Sequence, residues 1–352
     1  MEFAPAAPGA DGASAADVDA VETIMRRGGS ALRERMTRME RHLELVTSQA
    51  GDPLASHATG TVLAGGKRLR PLLVVLAAES AGGPGDASDA GDAEDRLVRA
   101  AVAVELVHSA TLVHDDVIDG AQLRRGRPSV AAAAGRNLAV ATGDLLFSRA
   151  FAELARNEDE AQLRALSDAS SALAEGELLQ REDAYATHVA VARYLRRCEL
   201  KTAALFEAAC RLGALVAVNG SPELADELGA FARRIGLAFQ LLDDVLDVSG
   251  PVERTGKARG TDLLDGTVTL PFILARERDR ELAEFDLSSL NGPEQAEQLC
   301  ERIAATGSLD EARERALALV AEAKSGLPRR LPDGSDAALL DLVADAVVER
   351  YR

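Results

Sequence analysis

The amino-acid sequence predicts an all-α fold, on three observations. The chain of 352 residues has only 3% aromatic residues and no tryptophan, and alanine and leucine dominate it, a composition that favours helices over strands. Signals that begin and end helices recur along the chain. No segment shows the apolar-polar alternation of a half-buried strand. We therefore predict a single all-α domain over residues 17–352, long enough to bury a large core.

Helices are expected where apolar residues recur at helical spacing between start and stop signals. The signals are Pro71, Ser221-Pro222, the capping box of Ser308 with Glu311, and Gly250-Pro251. The expected helices lie near residues 97–119, 137–155, 160–181, 194–217 and 222–249. Their apolar residues cover much of the circumference, which is typical of central helices in a bundle.

Two segments lack this periodicity. Residues 1–16 are rich in Ala, Gly and Pro and are expected to form a disordered leader. Residues 82–95 carry five acids and no base, which predicts a flexible, solvated loop between helices.

Composition also excludes several classes of protein. The net charge of −17 and the shortage of aromatic side chains argue against a nucleic-acid partner. Cys198, Cys210 and Cys300 are far apart and form no C-x-x-C pair, so a structural zinc site is improbable. No signal pattern or membrane-spanning apolar run is evident, and we expect a cytoplasmic protein.

A D-D-x-x-D motif occurs twice, which is improbable by chance. Asp115, Asp116 and Asp119 form the first copy, and Asp243, Asp244 and Asp247 form the second. On a helix the first and last aspartates of each copy share a face, one turn apart. Both copies lie near predicted helix C-termini, where the macrodipole disfavours acids. A solvated acidic helix end is the simpler interpretation of one motif, but two of them favour magnesium, which takes carboxylate and phosphate oxygens as ligands.

Basic residues accompany both motifs. "GGKRLRP" (65–71) places Lys67, Arg68 and Arg70 at a glycine-rich helix start, where free N–H groups favour anions, although a lone basic cluster is more often plain surface. The other cations are Arg124 and Arg125 after the first motif, Lys201 beside Thr202 in an apolar helix, and Lys257 after the second motif. Six carboxylates and a diphosphate carry roughly −9, which three magnesium ions and three of these cations would balance. The pattern therefore indicates a receptor for a metal-complexed diphosphate.

These segments together resemble the trans-type isoprenyl diphosphate synthases, which build linear isoprenoid chains. The resemblance runs from about residue 60 to residue 275 through "GGKRLRP", "VELVHSATLVHDDVID", "LRRG", "GDLLFSRAF", "KTAALF", "FQLLDDVLD" and "GKARGTDL". It implies a helical bundle around a deep central cavity, usually a homodimer, with both aspartate motifs at the mouth. The long-chain members are the more similar ones.

The resemblance also assigns roles by position. It implies that Asp115, Asp119 and Asp243 bind magnesium, as three ions with substrate, and that Asp116, Asp244 and Asp247 support them. The residues that would hold the allylic diphosphate are Arg124, Lys201, Gln240 and Lys257. Those that would hold isopentenyl diphosphate are Lys67, Arg70, His108 and Arg125.

Three positions carry further expectations. His108 lies two turns before Asp115 on the same face, which favours a ligand over a core histidine, whereas His114 points elsewhere and is expected to be structural. Thr267 stands where many relatives have a second lysine, so one diphosphate contact is missing.

The expected reaction is ionisation of the allylic diphosphate, condensation with isopentenyl diphosphate and loss of a proton. Oxygen atoms near Lys201, Thr202 and Gln240 can face the allylic cation, and the released diphosphate is expected to take the proton. Ala110 and Thr111 lie about 6–7.5 Å below the first motif and are small, which predicts a hexaprenyl or longer product that would pass to membrane enzymes. A short-chain farnesyl or geranylgeranyl synthase is the alternative.

Three further classes of protein share part of this pattern. A terpene cyclase has no use for the second diphosphate pocket of "GGKRLRP" and Arg125. A metal phosphohydrolase needs more converging His and Asp ligands than the sequence offers. A non-catalytic subunit of a heteromeric synthase is expected to lack one aspartate motif, and both are intact here.

Overall fold

The computed structural model describes residues 15–84, 90–186, 188–250, 259–327 and 337–349. Nearly all of the secondary structure in these ranges is helical, as the composition predicts. The helices before residue 190 are α1 (Ala15–Arg27), α2 (Gly29–Ser48), α3 (Leu54–Leu63), α4 (Leu69–Ser80), α5 (Ala90–Ile118), α6 (Val130–Ala134), α7 (Arg136–Ala155) and α8 (Glu160–Glu182).

One long helical run follows and contains a π-helical segment. It consists of α9 (Val191–Cys198), the π-segment (Glu199–Ala203) and α10 (Ala204–Val216). The remaining elements are α11 (Pro222–Ser249), α12 (Thr261–Leu264), α13 (Leu270–Arg278), α14 (Arg280–Ala283), a 3-10 turn (Leu287–Ser289), α15 (Pro293–Ala305), α16 (Ser308–Ser325) and α17 (Ala338–Glu349). The predicted helices of the middle of the chain are thus confirmed, with boundaries shifted by a few residues.

Helix α5 lies at the centre of the bundle. Its residues 97–107 are all buried, and it packs against α2, α4, α7 and α10. Helix α10 in turn packs against α4, α8 and α11. The buried apolar side chains form one connected cluster that extends from Ile24 to Val347. Burial on every side explains why α5 is apolar around much of its circumference.

The helix signals were partly right. The Ser221 hydroxyl accepts a hydrogen bond from the Leu224 N–H at 3.2 Å, and α11 begins at Pro222 as predicted. The capping box at Ser308 is wrong, because α16 follows Gly307 and the Ser308 hydroxyl donates to the Ile303 carbonyl instead. Helix α4 begins at Leu69, two residues before Pro71.

The boundaries of the two non-periodic segments also change. Helix α5 begins at Ala90, so residues 90–95 are helical rather than part of the predicted acidic loop. Its first turns pair with α2, since Glu94 binds Arg35 at 2.6 Å and Asp95 binds Arg38 at 2.8 Å, and acids near a helix N-terminus are favoured by the dipole. Residues 85–89 and residues 1–14 of the predicted leader lie outside the described residues, and residues 15–16 begin α1.

A two-stranded hairpin that the sequence pattern did not predict follows α5. Strand β1 (Leu123–Arg124) pairs antiparallel with β2 (Arg127–Pro128). Arg125 and Gly126 form the turn with φ of 52° and 72°, as a two-residue hairpin turn requires. The left-handed conformation of Arg125 is unusual for a residue with a side chain and is often found at functional sites.

One described segment, Gly91–Ile118, is long and apolar enough to cross a membrane by length and composition. Within its apolar 18-residue window, 78% of the residues are buried inside the fold. A central helix of a bundle has the same composition, so this segment is weak evidence for a membrane span.

Candidate active site

The first aspartate motif lies at the C-terminal end of α5. Asp119 is one residue beyond the helix, and its N–H still donates to the Asp115 carbonyl at 2.8 Å, so helical spacing continues through the motif. Asp115 and Asp119 therefore lie one turn apart on one face, as the sequence predicts. Asp116 is 3% exposed and lies about a quarter turn around the helix from Asp115.

Asp116 is bound by the hairpin. The Arg124 Nε and Nη2 atoms both donate to Asp116 Oδ1, at 2.9 and 2.5 Å. The pair borders a cavity of about 200 Å³ that also contacts Ser109, Leu112 and Val113 of the same face of α5. The carboxylate of Asp116 already binds Arg124, which is consistent with its predicted role as a support for the metal ligands.

Helix α8 connects the first motif to Lys201. Glu177 accepts from Lys201 Nζ at 2.5 Å and from Arg181 Nε at 3.0 Å. Arg181 also donates to Asp119. Charges thus alternate along Lys201, Glu177, Arg181 and Asp119, and α8 holds both a predicted diphosphate ligand and a predicted metal ligand.

Asp115 is buried beside groups of both charges. Burial raises the pKa of Asp115 to about 6; among the nearby charges, Glu177 and Asp119 act in the same direction, whereas Lys201 and Arg124 oppose them. Burial also acts to raise the pKa of Glu177, but its hydrogen bonds and ion pairs with Lys201 and Arg181 together lower it. A cation bound at Asp115 would compensate for the hydration that its carboxylate loses on burial.

The π-segment that carries Lys201 and Thr202 is clamped between two glycines. A Cβ at Gly176 of α8 would lie 2.5 Å from the Lys201 backbone nitrogen, and a Cβ at Gly236 of α11 would lie 2.9 Å from the Ala203 Cα. Both neighbouring helices thus approach the backbone of this segment at a distance that only glycine permits. Single-turn π-bulges within α-helices occur frequently at functional sites.

The second aspartate motif meets the π-segment through Gln240. The Thr202 hydroxyl donates to Gln240 Oε1 at 2.7 Å, and Gln240 Nε2 donates to Asp244 Oδ1 at 2.8 Å. The Tyr194 hydroxyl of α9 donates to Asp244 Oδ2 at 2.6 Å. Lys201 and Thr202 are adjacent, so the contacts that lead from the two motifs reach consecutive residues of the π-segment.

Burial acts in the same direction on the second motif. Burial, with a contribution from Asp262, raises the pKa of Asp244 to about 7 and that of Asp247 to about 8. The Asp262 N–H donates to Asp247 Oδ2 at 3.3 Å. Asp243 and Asp247 share a face of α11, and both are half-buried.

A strongly basic pocket surrounds His108. Burial lowers the pKa of His108 well below its usual value, as do the nearby Arg70, Arg125, Arg68 and Arg124. The imidazole is therefore neutral at physiological pH, and it sits among arginines rather than in a purely apolar core. This placement is consistent with the predicted anion-binding role.

Arg70 and Arg125 contribute to that pocket in different ways. Burial lowers the pKa of Arg70 to about 10, its Nε atom is buried without a hydrogen-bond partner, and its guanidinium carbon lies 4.7 Å from the centre of the Phe206 ring. The Arg125 guanidinium lies over Gly66, where a Cβ would be 2.8 Å from Nη2. A phosphate oxygen is a suitable acceptor for the unpartnered Arg70 Nε.

Arg68 has a structural role. It donates to Glu40 and Glu105, each at 2.6 Å, and to the Val62 carbonyl at 2.6 Å. It therefore connects α2, α3 and α5, and its guanidinium is engaged by acceptors of the protein itself. Lys67 is half-buried beside it.

The remaining predicted residues divide into two groups. His114 is structural as expected, since it stacks on Phe147 at 5.9 Å and its Nε2 lies 3.2 Å from the Val140 carbonyl. Ala110 is fully buried, and the Thr111 hydroxyl donates to the His108 carbonyl at 2.8 Å. Lys257 lies outside the described residues, and the Thr267 N–H donates to the Asp262 carbonyl at 2.8 Å.

Sequence reasoning missed the residues that hold the predicted ones in place. Glu177 and Arg181 lie four residues apart on α8, a spacing that indicates an ion pair and could have been noticed. Tyr194 and Glu105 gave no signal, because a tyrosine and a glutamate within apolar helical patterns have no motif around them.

The donors present fit magnesium, subject to one condition. Asp115, Asp119, Asp243 and Asp247 offer hard carboxylate oxygens, which magnesium prefers as ligands, and burial raises the pKa of Asp115 and Asp247. Among the described residues, however, no three His, Cys, Asp or Glu side chains are grouped tightly enough to hold an ion alone. Phosphate oxygens and water would have to complete the coordination shell.

Comparisons with known proteins identify the family. The family model described as "Polyprenyl synthetase" matches residues 52–305, which include the basic segment and both aspartate motifs. Heptaprenyl diphosphate synthase component 2 of Geobacillus stearothermophilus is 39% identical over 252 residues, covering 71% of this chain and 75% of that protein. Geranylgeranyl diphosphate synthase of Methanosarcina mazei is 37% identical over 292 residues, covering 82% and 86%.

A solved structure gives the same result. The polyprenyl synthase of Caulobacter crescentus, complexed with calcium and isoprenyl diphosphate, superposes with a TM-score of 0.84 at 34% identity, covering 94% of this chain and 98% of that one. The chain therefore belongs to the polyprenyl synthetase family, and it is a prenyl diphosphate synthase, a prenyltransferase with the all-α fold of that family.

Proposed function

We propose that the protein is a magnesium-dependent synthase that adds isopentenyl diphosphate repeatedly to an allylic diphosphate and releases a linear trans-polyprenyl diphosphate. The observation that carries the proposal is the division of the site into two electrostatic halves. The buried carboxyl groups of Asp115 and Asp247, whose pKa values are raised, belong to one half, whereas arginines surround neutral His108 in the other. Two diphosphates, one of them complexed with metal, match these halves.

The acidic half is assigned to the allylic diphosphate. Asp115, Asp119 and Asp243 would bind magnesium, up to three ions with substrate, and Asp116 and Asp247 would support them. Magnesium, when bound, neutralises the charge that develops on the departing diphosphate. The calcium and isoprenyl diphosphate named for the Caulobacter crescentus relative support this pairing of metal and substrate.

Cations of this chain would bind the same diphosphate directly. Lys201 and Arg124 are the described candidates, with Gln240 beside them and Lys257 as a further one. Before substrate binds, Lys201 is paired with Glu177 and Arg124 with Asp116. Both are thus charged and ordered in advance, and each exchanges one anionic partner for another on binding.

The basic half is assigned to isopentenyl diphosphate. Arg70, Arg125, Lys67 and His108 would hold its phosphates, with the buried Arg70 Nε gaining the acceptor that it lacks in the protein. Its alkene would attack the allylic carbocation next to Thr202 and Gln240. The proton lost in the final step would go to the released diphosphate, which leaves the allylic carbon in the first step and stays in the site.

Small residues below the first motif favour a long product. Ala110 and Thr111 lie one to one and a half turns deeper along α5 than Asp115. The relatives include both heptaprenyl and geranylgeranyl synthases at similar identity, so the hexaprenyl-or-longer assignment rests on these two side chains. Ala110→Phe is expected to shorten the product, and an unchanged product ladder in chromatography would contradict a tail that passes this point.

We place the enzyme in the cytoplasm as a homodimer that delivers an apolar product to membrane enzymes. The Geobacillus stearothermophilus relative is named as component 2, which favours testing a second candidate, the catalytic subunit of a heteromer. Light scattering after gel filtration gives the mass of the purified chain, and an activity assay of the same fraction separates the two candidates. A homodimer is active alone, whereas a heteromer needs a partner.

The deciding experiment incubates the purified chain with magnesium, labelled isopentenyl diphosphate and each allylic primer in turn. We expect labelled polyprenyl diphosphates whose formation EDTA abolishes. Asp115→Asn and Asp243→Asn should each lower turnover strongly but leave measurable activity, whereas Asp144→Asn, an exposed aspartate on α7, should not lower it. Wild-type turnover in either motif variant would contradict the proposal.

A further inference from the structure

A chain of hydrogen bonds extends from the buried interior into the site. It begins at Tyr194, which is fully buried, and passes through Asp244 and Gln240 to Thr202. Its three bonds measure 2.6, 2.8 and 2.7 Å. Its members lie on three helical elements, α9, the π-segment and α11.

The direction of every bond in the chain is determined by its buried end. A phenol hydroxyl is protonated near neutral pH, so Tyr194 donates to Asp244. Both Asp244 oxygens accept in the structure, Oδ2 from Tyr194 and Oδ1 from Gln240 Nε2, so the amide nitrogen of Gln240 faces Asp244. The Gln240 oxygen must then face Thr202, whose hydroxyl proton it accepts.

The consequence lies at the open end of the chain. The Thr202 proton and an amide proton of Gln240 are bound within the protein, so the Thr202 oxygen and Gln240 Oε1 have lone pairs left for a neighbour. Lone pairs stabilise a positive charge, whereas an N–H or O–H pointing the same way would oppose it.

We propose that Tyr194 and Asp244 are positioning residues that fix the orientation of the Gln240 amide, so that oxygen rather than N–H faces the allylic carbocation. This inference rests on the proposed function. It separates Asp244 from its neighbour Asp243, because both Asp244 oxygens accept hydrogen bonds within the protein and Asp244 is 3% exposed. Asp244 is thereby a support and not a metal ligand.

The first test compares Asp244→Asn with Asp243→Asn, adjacent residues given the same change. An asparagine at position 244 accepts from Tyr194 with its oxygen and presents an amide N–H toward Gln240, which must flip. We expect a kcat about 100-fold lower, since two bonds in the chain are reversed. KM for both diphosphates and the half-saturating magnesium concentration should stay within about twofold of wild type, a range that corresponds to a small free-energy change. Asp243→Asn should raise the half-saturating magnesium concentration.

The second test approaches the chain from its buried end. Tyr194→Phe removes only the hydroxyl and should lower kcat about tenfold, the effect of one hydrogen bond, with unchanged KM values. Tyr185→Phe is the matched control, because Tyr185 is exposed and does not belong to the chain, and it should leave kcat unchanged. Thermal unfolding of each variant identifies any loss due to misfolding, and Asp244→Asn remains informative if Tyr194→Phe does not fold.

Three outcomes decide the matter. A lower kcat with unchanged magnesium dependence in Asp244→Asn and in Tyr194→Phe supports the inference. An equal shift of magnesium dependence in Asp244→Asn and Asp243→Asn overturns it, as does full activity of a folded Tyr194→Phe protein. An inactive wild-type enzyme would instead refute the proposed function, so the two failures are distinguishable.

Discussion

Replacing Gly176 with alanine tests whether close contact between α8 and the π-segment is needed for catalysis. The added Cβ would lie 2.5 Å from the Lys201 nitrogen and 2.9 Å from its Cα. Backbone atoms cannot swing aside as a side chain can, so the two elements must separate by about 1 Å to reach ordinary contact. Lys201 and Glu177 would move with them.

Two opposing effects set the expected stability change. Alanine is a better helix former than glycine by about 1 kcal/mol, whereas overpacking a well-packed site costs about 1–3 kcal/mol. We expect net destabilisation at Gly176, together with a kcat loss of up to about 100-fold, because a displacement near 1 Å can cost that much. Gly91→Ala is the control, since no atom lies within 4 Å of its added Cβ, and it should be neutral or stabilising.

Urea unfolding and steady-state kinetics on the same preparations measure both effects. A Gly176→Ala protein with wild-type unfolding free energy and wild-type kcat would refute the reasoning, because the two helices would then tolerate separation. Destabilisation without loss of kcat would show that the contact serves folding alone.

Three further outcomes are expected. Arg68→Met should destabilise the protein by about 3 kcal/mol or more in urea unfolding, because it leaves the buried Glu105 without its cation. Arg38→Met, at a more exposed ion pair, should cost less than about 1 kcal/mol. Equal effects of the two substitutions would contradict the burial argument. The metal-free protein should become less stable as pH rises from 6 to 8. The folded-state pKa values of Asp115, Asp244 and Asp247 are about 6, 7 and 8, above the ordinary 3.8, so the unfolded chain binds fewer protons in this window. A melting temperature that rises with pH would contradict this expectation. Glu177→Gln should raise KM for the allylic substrate more than KM for isopentenyl diphosphate, because Lys201 loses its partner, while Glu175→Gln, an exposed neighbour on α8, should change neither value.

Much of the fold and the identity of the site residues could be predicted, because both depend on periodic or local patterns in the sequence. The two aspartate motifs, the cations near them and the central helices depend on spacing along one helix, which the sequence displays directly. The start of α5 was misplaced because an acidic, glycine-containing stretch looks like a loop. Its acids are instead held by Arg35 and Arg38 of α2, partners that lie 59 and 57 residues away, respectively.

The rest depends on contacts between distant segments, which no local pattern records. Glu177 meets Lys201 across 24 residues, and Tyr194 meets Asp244 across 50. The π-segment is equally hidden, because its residues Glu199–Ala203 have ordinary helical composition and the glycines that contact it lie on two other helices.

The five-residue π-segment also controls the rotational phase between α9 and α10. Upstream of it Tyr194 is directed toward Asp244, and downstream Leu205 and Ala209 are directed into the core. Winding the same residues as a regular α-helix would turn one half relative to the other by up to about 100°, because the π-segment holds one residue more per turn than an α-helix does. Either the tyrosine or the core side chains would then face the wrong way, so the π geometry itself is needed to keep both halves in place.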